Sequence, residues 1–349
     1  MKYQITPFGS VEQQPVELIT LKNSHKMQLS ITNYGCIVTS IQTPDKHGKI
    51  ADINLGYESL DKYLKGHPFF SAFAGRYANR IANASFELDG IFYQLAANEA
   101  LHTHLHGGHQ GFDKKIWGYD IEEKEQEIWI HLHRVSPDNE EGYPGNLTVT
   151  HSIGLDEQNQ IHFNYKATTD KPTILNFVNH GYYNLAGADS GHINNHLLKV
   201  YADFYTPCDE QNIPTGEILS VKHTGFDFRE LTPIKDNMAK LPLGSIDHNF
   251  VLNGTPYTKD LHKAAELYEA TSGRKMEVFT TQPGVQIYNA RYLQDAGFIG
   301  RHGKEYEGFA GICFETQHFP DSPHHPHFPS VRLNPEEIFI EKTLHRFSW

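Results

Sequence analysis

Residues 147–167 read LTVTHSIGLDEQNQIHFNYKA, two alternating runs parted by a turn. Leu147, Val149, His151 and Ile153 share one face of the first run, and Ile161, Phe163, Tyr165 and Ala167 one face of the second. Successive strand side chains point to opposite faces, so a period of two marks a strand with one side on a core. Met27, Leu29 and Ile31 repeat the pattern, and another run follows Gly35. Ile128, Ile130 and Leu132 alternate against Trp129, His131 and His133. Phe86 and Leu88 lead through Asp89-Gly90 to Ile91, Tyr93 and Leu95, and Asp-Gly between alternating runs signals a tight hairpin. Val285 and Ile287, then Ile338 and Ile340, carry the stripe towards the C-terminus.

Helical signal is thin. Residues 58–65 predict a short helix with Leu60, Tyr63 and Leu64 on one side. Residues 259–270 have helix propensity, yet Ser272-Gly273 and the alternating Met276 and Val278 beyond them suit a hairpin better. Strands never give way to a strand–helix rhythm, which argues against a doubly wound parallel sheet. The expectation is all-β: one large antiparallel β-sandwich. No linker, charge block or repeat divides the chain, so residues 1–349 read as a single domain. Area scaling predicts a folded surface of about 14,000 Å² against roughly 58,000 Å² unfolded, enough for a large core.

With 30 Lys+Arg against 42 Asp+Glu the net charge is −12. That favours solubility and argues against nucleic acid or an anionic membrane as partner. Cys36, Cys208 and Cys313 are too few and too odd in number for a disulfide scaffold, and none lie in CxxC spacing. The opening MKYQITPFGSVEQQP lacks the apolar core of a signal peptide, and no 18-residue apolar run occurs. A soluble, cytoplasmic protein is expected.

No GxGxxG, Walker loop, GxSxG or HExxH occurs, so nucleotide binding, serine hydrolysis and zincin chemistry lose their usual markers. What remains are polar residues inside apolar strands. In Thr173–Leu185, TILNFVNHGYYNL, His180 and Tyr182 share a face with Asn176 and Val178. An imidazole on a strand walled by aromatics suits proton transfer near neutral pH, although a buried His satisfied by a carbonyl reads the same way. In Phe309–Asp321, FAGICFETQHFPD, alternation sets Cys313, Glu315 and Gln317 on one face. A carboxylate between Phe314 and Phe319 has its pKa raised where desolvation dominates, which makes a better base; an ion pair with a nearby Arg is the alternative. In GRYANRIANA, residues 75–84, Arg80 can fork to hydroxyl oxygens, whereas Arg76 reads as a surface arginine. His102, His104 and His106 in LHTHLHGGHQG would face one way on a strand and invite a metal reading with Asp113. Gly107-Gly108 suits instead a tight bend that delivers one imidazole into a cleft. His324, His325 and His327, in a Pro/His-rich tract read as a surface loop, form a second possible metal cluster. Asp247 in SIDHNF could accept two sugar hydroxyls, and Gln282 in TTQPGVQIY could donate to one; otherwise they are a turn Asp and a strand-end amide.

Taken in order, GRYANRI, HLHGG with GFDKKIW, EGYPG, NHGYYNL, IDHNF, TTQPGVQIY and FETQHFPD resemble the galactose mutarotase (aldose 1-epimerase) family over roughly residues 75–321. The resemblance implies a large antiparallel β-sandwich with an open sugar cleft. It makes Glu315 the general base, His180 the general acid and His106 a further catalytic group, with Asn79, Arg80, Asp247, Gln282 and Tyr182 binding the sugar. The implied substrate is a free hexose such as galactose or glucose, and the implied chemistry needs no cofactor and no metal. Gly181 and Tyr183 depart from the Ser and Phe frequent in the family, and the added Tyr183 hydroxyl is expected to bear on the choice among sugars. A hexose-6-phosphate 1-epimerase, which would need further Arg or Lys beyond Arg76 and Arg80, and a non-catalytic carbohydrate-binding sandwich are the rival readings. Oligomeric state is left open.

Overall fold

The alternating stripes pair as their period requires. The computed structural model describes residues 1–100, 102–254 and 260–349. A nine-stranded sheet runs in the order Gly118–Glu123, Glu127–Ser136, Leu147–Asp156, Gln160–Thr169, Phe339–Ser348, Lys275–Thr280, His262–Tyr268, Leu197–Val200 and Thr232–Pro233. A six-stranded sheet orders Tyr182–Tyr183, Ile312–Gln317, Gly284–Tyr288, Asp247–Leu252, Ala202–Thr206 and Leu219–Ser220. A five-stranded meander occupies Lys2 to Asp52. Pairing is antiparallel within all three.

Inward stripes of the three sheets merge into one buried cluster. Ile130, Val149 and Phe163 come from the largest sheet, Leu29 and Ile41 from the meander, and Val285, Ile287, Ile312 and Phe314 from the third. Sheets that face each other across such a layer form a sandwich. Burying each Leu, Ile, Val or Phe is worth about 1.5–3 kcal/mol, and the core closes with all three cysteines free. The total surface, 14220 Å², matches the area-scaling expectation. His151 interrupts its stripe without breaking it. Its ring lies 4.5 Å from that of Phe73 and 4.6 Å from that of Tyr165, and burial pushes its pKa down to about 3, so it packs as a neutral aromatic.

The Asp89-Gly90 hairpin forms, with φ of +54° and +75° at the two turn residues, as a type I′ turn demands. His262–Tyr268 pairs with Lys275–Thr280, the hairpin expected from the second half of 259–270; Lys259 lies outside the described residues. The helix Leu60–Lys65 buries Leu60 and Tyr63 and leaves Leu64 exposed. One stripe has the opposite phase. Ile338 and Ile340 are exposed, and Thr343, His345 and Phe347 face inward. The inward polar groups find partners across the core: Thr343 Oγ1 lies 3.0 Å from Thr280 Oγ1 and 2.6 Å from Thr316 Oγ1, and His345 Nδ1 2.8 Å from the Tyr183 hydroxyl, while His345 Nε2 is buried without one. Among the described residues no helix is long and apolar enough to cross a membrane.

Because Val285, Ile287, Ile312 and Phe314 belong to the core, the residues between them on the six-stranded sheet must point the other way. That second face builds the site.

Candidate active site

Register lines up the polar face in rows. Tyr182 pairs with Cys313, Cys313 with Tyr288, and Tyr288 with Asp247; one row along, Glu315 pairs with Gln286 and Gln286 with Asn249. His180 precedes the edge strand and is pinned by its backbone, its N–H donating to Ala72 O and its carbonyl accepting from Ser71 N–H. Arg80–Ile81 pairs with His104–Leu105, which brings the GRYANRI and HLHGG segments together. The chain then turns through His106 at φ +50° and Gly107 at φ +88°. A Cβ on Gly107 would lie 1.9 Å from the Gly75 carbonyl oxygen, so only glycine permits the bend.

These elements enclose a cavity of about 240 Å³ lined by Pro68, Phe69, Asn79, Arg80, Leu105, His106, His180, Tyr182, Asp247, Tyr288, Tyr292 and Glu315. Drug-sized ligands occupy roughly 300–1,000 Å³; this space suits a single small ring. A larger hollow of about 790 Å³ around His223, Asp227, Arg229 and Lys240 has no such chemistry, since Arg229 is engaged by Asp227 and Asp203.

At the cavity wall His180 Nε2 lies 3.5 Å from Glu315 Oε1, both side chains buried. His180 Nδ1 and Glu315 Oε2 are buried and have no protein partner, so no hydrogen bond from the protein satisfies the outer atom of either group. Burial pushes the His180 pKa down to about 4. Burial, and then the charge of Asp247, push the Glu315 carboxyl well up, against the opposing charge of Arg80. Both shifts favour the neutral forms, which places the pair's shared proton on Glu315 in preference to His180. The sequence reading, with Glu315 ionised beside a charged His180, contains the same single proton in the other place.

His106 completes the wall. Its Nδ1 accepts the Asn79 N–H at 3.1 Å, and burial first, then the proximity of His180 and Arg80, hold its pKa well below the ordinary value, so the ring is neutral. A neutral imidazole that accepts at Nδ1 carries its hydrogen at Nε2. His106 is therefore a fixed donor. The nitrogens of His106 and His180 and a Glu315 oxygen lie within 4.8 Å of one another, a set that could be taken for a metal centre. A metal-binding His donates its second ring N–H to an acceptor; His106 does the opposite, so the donor set does not fit an ion.

Aromatic rings frame these groups. Phe69 packs over His106 with ring centres 4.4 Å apart, and Tyr182 stacks on His180 at 5.0 Å. The Tyr182 hydroxyl donates to Pro68 O at 2.7 Å, so it offers the cavity chiefly its ring. Asp247 Oδ1 accepts from Gln286 Nε2 at 2.6 Å. Arg80 Nε and Nη2 fork to Glu99 at 2.7 and 2.8 Å.

Several expectations need correction. Gln282 does not line the cavity; it precedes Pro283 between two strands, with both amide atoms buried and unpartnered. Gln286 holds Asp247 instead, and its position was readable, since Val285 and Ile287 on the core stripe oblige Gln286 to face the site. Arg76 is no surface residue. It is buried, 2% exposed, and its guanidinium donates to Ser136 Oγ and to the carbonyls of Ser136, Pro137, Pro144 and Gly145, anchoring the EGYPG loop. Tyr183 points into the core, away from the cavity. A Cβ at Gly181 would meet its ring at 2.8 Å, so the two departures belong together. The three spaced histidines do not share a face: His104 is bound by Ala96 O and the Tyr143 hydroxyl, and exposed His102 meets Gln211. Leu101, which opens that stretch, lies outside the described residues. His324 and His325 turn to Asp321 while His327 meets Gly216 O, so that tract gathers no metal site. Sequence reasoning also passed over Phe69, Tyr288 and Tyr292, whose contacts with the site are non-local.

Fold and site together define a β-sandwich with a buried His–Glu pair in the wall of a small cavity. The family model for aldose 1-epimerase matches residues 17–345, and the chain belongs to that family. It is 41% identical to human galactose mutarotase over 325 residues, covering 93% of this chain and 92% of the relative. It is 34% identical to the aldose 1-epimerase of Escherichia coli K12, covering 98% of each. The crystal structure of galactose 1-epimerase from Lactobacillus acidophilus superposes with a TM-score of 0.86 at 27% identity, over 99% of this chain and 98% of that one.

Proposed function

We propose that the protein is an aldose 1-epimerase, an isomerase that interconverts the α and β anomers of free hexoses such as galactose and glucose. The observation that carries this reading is the buried His180–Glu315 pair, 3.5 Å apart, with both residues lining a cavity sized for one ring. The named relatives support it. Anomer exchange needs a proton removed at the C1 hydroxyl and one supplied to the ring oxygen. With the resting proton moved to His180, a shift that the Arg80 charge assists, Glu315 takes the C1 hydroxyl proton and His180 protonates the ring oxygen. The C1–O5 bond opens, the aldehyde turns about C1–C2, and the same steps in reverse close the other anomer. No atom is gained or lost. His106 Nε2–H, Arg80, Asn79 and Asp247, itself held by Gln286, hold the hydroxyls, and the rings of Tyr182 and Phe69 exclude water.

A phosphosugar is not favoured. Arg80 is the one Arg or Lys among the cavity-lining residues, Glu99 already engages it, and Asp247 and Glu315 share the space. Proton NMR of equilibrated galactose tests the reading: protein in catalytic amount should give saturation transfer between the two anomeric protons. Transfer with galactose 6-phosphate and none with galactose would point to the phosphosugar epimerase.

A further inference from the structure

Arg80 is only 9% exposed, and Glu99 Oε1 and Oε2 grip Nη2 and Nε in a two-bond fork. Such a fork fixes the plane of the guanidinium as well as its place. Among the described residues Nη1 makes no protein hydrogen bond. The fork rests on a braced loop. Glu99 and Thr103 exchange both backbone hydrogen bonds at 3.0 Å, and the Asn98 amide clamps the Leu105 backbone, donating to its carbonyl at 2.9 Å and accepting its N–H at 2.8 Å. Leu105 in turn pairs with Arg80. The carboxylate and the guanidinium thus sit on segments fixed to each other. Glu99 does not line the cavity and lies outside the motifs that mark the family.

We propose that Glu99 is a positioning residue for this site: it aims Arg80 so that Nη1 alone is presented to a sugar hydroxyl. The inference rests on the sugar-binding reading above. Glu99 also tempers a charge. The charged and titratable groups facing Glu315 are Asp247, Arg80, His180, His106, Tyr182 and Cys313, and Arg80 is the one cation that pulls the Glu315 carboxyl down. With Glu99 neutral, that pull grows.

Two variants separate aim from charge. Glu99→Gln keeps the length and removes the charge; Glu99→Asp keeps the charge but is too short to span both bonds. Both should raise the galactose KM about tenfold or more, as expected for loss of a charge-assisted contact, with kcat changed far less. Only Glu99→Gln should move the alkaline limb of the pH–rate profile to lower pH. A merely structural role would lower the melting temperature or the active fraction and leave KM and the limb in place; that result in folded protein overturns the proposal. Calorimetric titration with galactose reads the same role without turnover. A wild-type protein that binds galactose but does not turn it over refutes the enzyme reading while leaving Glu99 testable. Equal affinity in wild type and both variants refutes Glu99.

Discussion

Substituting Glu315 with Gln exchanges one oxygen for an amide nitrogen where burial favours the neutral carboxyl. No charge is created or removed in the buried site at neutral pH, so the stability cost should stay below about 1 kcal/mol, in the range of a changed hydrogen bond. The partner that would feel a lost anion, His180, is itself neutral there. What the amide cannot do is take the proton from the C1 hydroxyl. A positioned acid or base contributes about 10²–10⁴-fold, equivalent to roughly 2.7–5.5 kcal/mol of barrier. Polarimetry on freshly dissolved α-D-galactose, corrected for spontaneous mutarotation, should therefore give a kcat lowered by that factor. Galactose affinity by calorimetry and the melting temperature should stay close to wild type. A kcat within tenfold of wild type would refute the role given to Glu315. A loss of turnover matched by loss of binding or of fold would refute the separation argued here.

Three further outcomes follow from the same geometry. Activity should be bell-shaped in pH: as pH falls through about 4, His180 takes a second proton and the pair loses its base, and as pH rises through the elevated Glu315 value it loses its acid; a flat profile in folded protein contradicts the pair. Gln286→Leu should raise the galactose KM about tenfold by freeing Asp247, whereas Gln282→Leu should leave kcat/KM within about twofold; the reverse order would restore Gln282 as the sugar ligand. Glu341 is half-buried, with its carboxyl pushed by burial from 4.5 up to about 7 in the fold. The unfolded chain loses that proton first, so stability falls as pH rises from 4.5 to 7, and Glu341→Gln should stabilise by about 1–3 kcal/mol at pH 8 and not at pH 4; urea unfolding at both pH values checks the sign.

Much of the fold was legible because a strand with one buried face writes that face at every second residue. Leu147 to Ile153 and Ile161 to Ala167 pack as their alternation requires. The strand Phe339–Ser348 misled because its inward residues include Thr343 and His345, whose partners come from other strands and leave no local trace. In the site, His180, Tyr182 and Glu315 were readable as polar or aromatic positions on apolar strands, and His106 through the double glycine after it. Gln286 was readable by parity and missed. Arg76 was not readable, since its acceptors are backbone carbonyls sixty and more residues away. The Glu99 fork is hidden for the same reason: a loop carboxylate carries no period.

The measurement closest to the central claim is the optical rotation of fresh α-D-galactose with and without the wild-type protein. Relaxation that accelerates in proportion to protein and ends at the uncatalysed equilibrium value is the result predicted for anomer interconversion by the His180–Glu315 pair. Folded protein that leaves the relaxation rate unchanged, with galactose and with glucose alike, would contradict it.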